Sequence, residues 1–357
     1  MHIESLALPG IRGLSPYQPG KPVSELEREL GLSNIIKLAS NENPLGPSPR
    51  ALAAAATSLT SCHYYPDGGG FELKSALARH LGVEAGQITL GNGSNDVLEL
   101  IARVFLGPGV EAIHSEHAFA VYPLATQASG ATARVAAAHD GSQGPRYGHD
   151  LTAMRNLISP LTRVIFIANP NNPTGTCLGR SELHDFLAAV PQSCIVVVDE
   201  AYFEYVGWAD YPNALNMLSE FPNLIVTRTF SKAYGLAGFR IGYAVSSTAL
   251  AEWLNRVRLP FNVSIPAMEA ARAALEDREH LERSVALNQA GLIQLTGGFE
   301  QRGLAYIPSV GNFVTVQVGR TGAAVYEALL REGIIVRPVA NYGLPQHLRV
   351  TVGTSEQ

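Results

Sequence analysis

What this chain lacks narrows its class before any motif is considered. Its 357 residues include only three cysteines, Cys62, Cys177 and Cys194, with no Cys-x-x-Cys pair and no even framework. That excludes a disulfide-stapled scaffold and favours a reducing compartment. Charged residues make up 16% of the chain and the net charge is −5, with lysine and arginine scattered rather than clustered. There is no basic stripe for nucleic acid or an acidic membrane surface. No apolar run reaches the roughly 18 residues of a membrane span. The opening Met1-His2-Ile3-Glu4-Ser5 has no basic segment followed by an apolar one, so no signal peptide is expected. Internal repeats and low-complexity tracts are also missing. The expectation is a soluble, cytoplasmic protein with neither nucleic-acid nor membrane partners.

What is abundant is material for a core, since 46% of the residues are hydrophobic. A chain this long exceeds one efficient core, which predicts a large domain and a smaller one. From about Ile88 to Ser246, strand-length apolar runs alternate with amphipathic helical segments. Predicted strands are 88–90, 110–114, 164–168, 195–199, 224–229 and 240–245; predicted helices are 94–106, 151–158, 181–190 and 249–259. Val164-Ile165-Phe166-Ile167 and Ile195-Val196-Val197-Val198 are uninterrupted, as in strands covered on both faces of a mostly parallel sheet. The fold class is therefore α/β, and ligands on such sheets gather at the carboxyl ends of the strands. After Pro260 two long helices (265–276 and 280–302) precede strands at 312–318, 334–337 and 348–352 and a helix at 323–332, a small α+β pattern. Residues 1–35, rich in Pro and Gly, carry too little apolar surface to fold alone. The expected organisation is an arm over 1–35, a large domain over 36–262 and a small domain over 263–357.

Several short stretches carry chemistry. Ser231-Lys232 stands among small residues, with Arg240 further on. A lysine among apolar neighbours is desolvated, which makes its neutral, nucleophilic amine accessible. Ser231 and Arg240 could together hold a dianionic phosphate. Gly91-Asn92-Gly93-Ser94-Asn95 joins a predicted strand to a helix whose free N–H groups favour an anion. It lacks the third glycine of a dinucleotide fingerprint and the lysine of a P-loop. Asn169-Pro170-Asn171-Asn172-Pro173-Thr174-Gly175 holds Asn172 rigidly at a strand's carboxyl end, either as a plain turn or to aim the amide at a ligand. Asp199-Glu200-Ala201-Tyr202 closes an apolar strand, so Asp199 is either a helix cap or a buried functional anion. His114-Ser115-Glu116-His117 has an H-x-x-H spacing but leaves a strand with no third ligand, and no metal is expected. A reactive lysine, a carboxylate at the end of the preceding strand and a phosphate cradle together match what pyridoxal phosphate requires.

Over essentially its whole length the chain resembles the fold-type I, pyridoxal-phosphate-dependent aminotransferases. Within them it is similar to those acting on histidinol phosphate. The marks are Leu14-Ser15-Pro16-Tyr17, Leu38-Ala39-Ser40-Asn41-Glu42-Asn43-Pro44, Tyr65-Pro66, Asn171-Asn172-Pro173-Thr174-Gly175, Asp199-Glu200-Ala201-Tyr202, Ser231-Lys232-Ala233 and Leu348-Arg349-Val350-Thr351-Val352-Gly353-Thr354. The resemblance implies that Lys232 holds the cofactor covalently and Asp199 keeps its ring nitrogen protonated. It assigns Asn172 and Tyr202 to the ring's 3-oxygen and Phe119 to its face. Ser94, Asn95, Ser231 and Arg240 would bind the phosphate, with Tyr65 added from a second subunit. Arg349, Arg337, Tyr17 and Asn43 would contact substrate, Tyr17 from the partner, which gives the arm a role across a homodimer interface. The implied reaction is transamination of L-histidinol phosphate with 2-oxoglutarate in histidine biosynthesis. Aromatic amino-acid transamination, threonine-phosphate decarboxylation and a degenerate binding protein are the alternatives. The resemblance also implies a further C-terminal helix beyond Gln357, and the loop between Arg337 and Arg349 is the part expected to vary with substrate.

Overall fold

The structure is a computed structural model and describes residues 3–357. Met1 and His2, where the expected arm and the reading against a signal peptide begin, lie outside the described residues.

The apolar runs form a seven-stranded sheet in the order Ile88–Gly91, Gly242–Ser246, Leu224–Thr229, Ile195–Asp199, Thr162–Ala168, Glu111–Ser115 and Thr132–Ala136. Only Gly242–Ser246 runs antiparallel to its neighbours; every other pairing is parallel. Side chains alternate between the faces, so each uninterrupted run feeds two cores. Val196, Val198, Ile165 and Ile167 point into one, and Val197, Phe166 and Val164 into the other. The fold is that of an α/β layered protein, as the sequence predicts.

Three departures have physical reasons. The edge strand Thr132–Ala136 and the helix Val121–Ala128 before it have no counterpart in the sequence reading. Four of the five strand residues are exposed, so no burial pattern marks it. The single strand expected over 334–337 is two. Ile334–Ile335 pairs in parallel with Ile36–Lys37, whereas Arg337–Pro338 pairs antiparallel with His347–Thr351. Finally, the helix Ile265–Glu276, placed by sequence in the small domain, buries Ala267, Ala270, Ala271 and Ala274 in the core of the seven-stranded sheet with Ala51 and Ala55. Alanine on both faces lets the helices Ile265–Glu276 and Pro49–Ser58 approach closely.

A second, four-stranded antiparallel sheet runs Arg337–Pro338, His347–Thr351, Phe313–Gln317, Tyr306–Ile307. The N-terminal segment lies along this same chain. Leu26 is fully buried against Leu330, Ile335 and Ala39, and the Gly10 carbonyl accepts a hydrogen bond from Gln127. Truncating a fully buried leucine removes both transfer energy and packing. Leu26→Ala is therefore expected to lower unfolding free energy by about 2 kcal/mol in urea titration, with proteolysis beginning in the N-terminal segment.

Candidate active site

The carboxyl ends of the central strands open onto a cavity of about 260 Å³, closed on its other side by Arg337 and Arg349 from the four-stranded sheet. Of the residues expected from sequence, Tyr17, Ser94, Asn95, Phe119, Asn172, Asp199, Tyr202, Ser231, Lys232, Arg240, Arg337 and Arg349 all line it.

Lys232 follows the strand Leu224–Thr229, and its Nζ donates to the Ser40 carbonyl oxygen at 3.2 Å. Burial, then the charges of Arg349 and Arg240, pull its pKa down to about 8, against Glu42 and Asp199. Asp199 ends the neighbouring strand and is buried. Tyr122 Oη donates to its Oδ2 at 2.8 Å and Thr227 Oγ1 to its Oδ1 at 2.9 Å. Burial pushes this carboxyl up, opposed by both hydrogen bonds and by Lys232. It is a buried anion and not a helix cap.

The anion cradle is assembled from backbone. The helix Ser94–Phe105 has Gly93 at its N-cap with no side-chain cap, so its first amides are left for an outside acceptor. Gly93 has φ +82, and a Cβ there would stand 2.5 Å from an Arg240 guanidinium nitrogen. A Cβ on Gly242 would meet the Ser94 amide nitrogen at 2.4 Å. Arg240 itself sits at φ 58, ψ 64, the left-handed region that costs a non-glycine residue about 1–3 kcal/mol. Among the described residues no carboxylate pairs with it. Buried Ser231 lies beside it in the lining. Uncapped amides, a hydroxyl and an unpaired guanidinium are a donor set for a phosphate group.

At the far wall Arg337 and Arg349 stand directly opposite each other on adjacent antiparallel strands, both buried. Their hydrogen bonds go to neutral acceptors. Arg349 donates to Asn172 Oδ1 at 2.5 Å and to the Ala39 carbonyl at 2.6 Å, while its Nε is buried without a partner. Arg337 donates to the Gln18 carbonyl, with Tyr17 of the same chain over its guanidinium at 5.7 Å. Like charges facing each other across a strand pair are destabilising, and a buried charge without a counter-ion more so. The wall therefore presents two buried positive charges with no carboxylate paired to either among the described residues.

Two expected residues lie elsewhere. Asn43 does not line the cavity. Its amide nitrogen donates to the Ala233 carbonyl and to Ser284 Oγ, and its Oδ1 accepts from the Leu45 amide, so it ties a loop down. Tyr65 is 81% exposed and stacks on Phe261 at 4.6 Å, away from this chain's own cavity. Tyr17, expected from a partner, lines the cavity of its own chain. Sequence reasoning missed Tyr122 and Thr227 on Asp199, and Asn41, whose amide donates to Tyr202 Oη at 2.8 Å. Thr227 is paired in register with Asp199, and one polar residue after Leu224-Ile225-Val226 was the available signal. Among the described residues no group of three or more His, Cys, Asp and Glu is placed to hold a metal.

Residues 33–357 match the family described as "Aminotransferase class I and II". The chain belongs to the class I and II aminotransferases. It is 63% identical, over all of its own length and 96% of the relative's, to "Histidinol-phosphate aminotransferase 2" of Methylococcus capsulatus. A "Histidinol-phosphate aminotransferase 2" of Pseudomonas aeruginosa is 56% identical, covering 99% of this chain and 95% of the relative. A solved structure, the histidinol-phosphate aminotransferase of Sinorhizobium meliloti in complex with pyridoxal-5'-phosphate, superimposes with a TM-score of 0.89 at 29% identity, covering 98% of this chain and 94% of that one. For this aminotransferase the depressed Lys232 pKa has a direct test. In protein freed of any cofactor, acylation of Lys232 followed by mass spectrometry is expected to have its midpoint near pH 8. Below it the amine is protonated and inert. Arg349→Ala removes a neighbouring positive charge, so it is expected to move that midpoint upward.

Proposed function

We propose that this aminotransferase transfers the amino group of L-histidinol phosphate to 2-oxoglutarate, giving imidazole acetol phosphate and L-glutamate in histidine biosynthesis, with pyridoxal 5'-phosphate as cofactor. The observation that carries the reading is the pair Arg337 and Arg349, buried face to face without a carboxylate. One phosphate-bearing donor, or one dicarboxylic oxo acid, satisfies both guanidinium groups through charge-assisted bonds. The names of the relatives at 56–63% identity support the same donor.

The lining residues fit the cofactor on the chemistry of their donors. Ser94, Asn95, Ser231 and Arg240 would hold its phosphate, and Asp199 would accept the proton-bearing ring nitrogen. Asn172 and Tyr202 would face the 3-oxygen, Phe119 would lie against the ring, and Lys232 would bind it covalently. When bound, the cofactor supplies an electron sink for the charge left on the donor's α-carbon. Lys232 would serve as the base for that α-carbon, because its pKa near 8 leaves a usable fraction of neutral amine at neutral pH. Asp199, held by Tyr122 and Thr227, stays fixed in position while it stabilises a positive charge. Arg349, Arg337 and Tyr17 hold the substrate's anionic end away from Lys232.

The protein would act in the cytoplasm as a homodimer. Exposed Tyr64, Tyr65, Phe71, Leu259 and Phe261 support a covered face, and Tyr65 would reach the partner's phosphate site. The arm (1–35), a large unit of 36–262 with the helix Ile265–Glu276 packed into its core, and a small unit over the rest of 263–357 would be its working parts.

Histidinol phosphate, phenylalanine and phosphothreonine are to be compared as donors with 2-oxoglutarate, with glutamate and carbon dioxide both assayed. Histidinol phosphate is expected to exceed phenylalanine in kcat/KM by at least about 100-fold, because phenylalanine offers the two arginines a single carboxylate in place of a phosphate dianion. Preference for phenylalanine, or carbon dioxide from phosphothreonine, overturns the donor assignment. Lys232→Ala is expected to abolish turnover by either donor. Arg337→Ala is expected to lower kcat/KM for histidinol phosphate by about 100-fold with a smaller effect on phenylalanine.

A further inference from the structure

A second cavity, of about 610 Å³, lies against the back of the catalytic one. Two structural elements separate them. Along the loop after the strand Thr162–Ala168, Pro170 and Asn172 face the catalytic cavity, whereas Gly175, Thr176 and Cys177 line the second. On the strand His347–Thr351, Arg349 lines the catalytic cavity and His347 the second. Residues two apart on a strand share a face and lie about 7 Å apart. Their cross-strand partners follow suit, since Thr315 opposes Arg349 and Gln317 opposes His347. The loop is pressed on the far wall as well. A Cβ on Gly175 would stand 2.1 Å from Ser309 Oγ.

The lining has the character of a ligand site. His347 is 7% exposed, and its Nδ1 is buried with no hydrogen-bond partner. Burial and the Arg146 charge pull its pKa down, so the imidazole is neutral at physiological pH and can donate or accept. Trp208, Tyr147 and Tyr306 offer flat apolar faces around it. At the exposed edge stand one cation and one anion, Arg146, whose guanidinium lies 4.9 Å above the Tyr147 ring, and Glu182. None of these residues takes part in the catalytic site.

We propose that this cavity is a second ligand site, for a zwitterionic α-amino acid with an aromatic side chain, and that its occupancy is felt at Arg349. The carboxylate would pair with Arg146, the ammonium with Glu182, and the ring would lie against Trp208 near His347. The inference stands apart from the choice of amino donor.

The holoenzyme has two tryptophans, Trp208 in this cavity and Trp253 on the helix Thr248–Val257, so emission from Trp253→Phe reports the cavity alone. Titrating that variant with L-phenylalanine is expected to give a saturable emission change. Glu182→Gln should weaken it at least about tenfold through loss of the ammonium's partner. Arg349→Ala should leave it in place. In turnover assays L-phenylalanine should shift the KM of the amino donor at least about twofold, and Glu182→Gln should abolish that shift. Absence of a saturable change overturns the site. A change that survives Glu182→Gln but disappears with Arg349→Ala also overturns it, by placing the ligand in the catalytic cavity. A saturable change with no shift in KM overturns the coupling to Arg349.

Discussion

Four basic side chains, Lys232, Arg240, Arg337 and Arg349, face one small cavity whose only acids among the described residues are Asp199 and Glu42. Both acids have other partners and offset those charges only in part. Glu42 is held by Lys37 at 2.7 Å, and both oxygens of Asp199 accept from Tyr122 and Thr227. The guanidinium groups are instead fixed by neutral acceptors, the carbonyls of Gln18, Ala39 and Ala237 and the amide of Asn172. Such acceptors hold a charge in position without cancelling it. The chain thus keeps a preorganised positive potential in the cavity, which bound anions would meet with little reorganisation.

The backbone pays for that arrangement in strain and close approach. Arg240 is held in a left-handed conformation so that its side chain reaches the amide end of the helix Ser94–Phe105. Gly93 and Gly242 make room, since a side chain on either would collide with Arg240 or with the Ser94 amide. Gly235, at φ +69, lies against the Gly46 carbonyl, which brings the loop after Lys232 onto the segment that carries Ser40 and Asn41. The local cost is sustainable because the strands below are buried on both faces, with Val196, Val197, Val198 and Phe166 at 0–1% exposure.

Those same strands explain what was legible in the sequence. Ile195–Asp199 and Leu224–Thr229 coincide with their predicted bounds because the apolar runs Ile195–Val198 and Leu224–Val226 that begin them have no competing solution inside a two-faced sheet. Lys232, Asp199 and Arg240 were legible because their chemistry contrasts with apolar or small neighbours. Tyr122 was not. It sits among Val121, Pro123 and Leu124, it stacks on Phe166 at 4.8 Å, and only tertiary contact brings its hydroxyl to Asp199. Asn41 and Asn43 show the opposite limit. Two asparagines in one turn-dense loop look alike in sequence, yet one lines the cavity and the other braces the loop against Ala233 and Ser284. Which of them turns inward depends on the partners that the fold presents.

The uncompensated charge also links anion capture to proton transfer. Arg349 and Arg240 are among the causes that hold the Lys232 amine below its ordinary pKa. An anion that neutralises either guanidinium removes part of that effect, and the amine becomes more basic. With a pKa near 8, a usable minority of the Lys232 amine is neutral at neutral pH, and that fraction is competent as a nucleophile. With the anionic end of a substrate on Arg349, as proposed, the same amine would hold a proton more firmly and so accept one more readily. Substrates without that anion leave the base weak as well as the arginines unpaired. Under the proposed function, discrimination at the far wall would be expressed at Lys232 through the same electrostatic field that lowers its pKa.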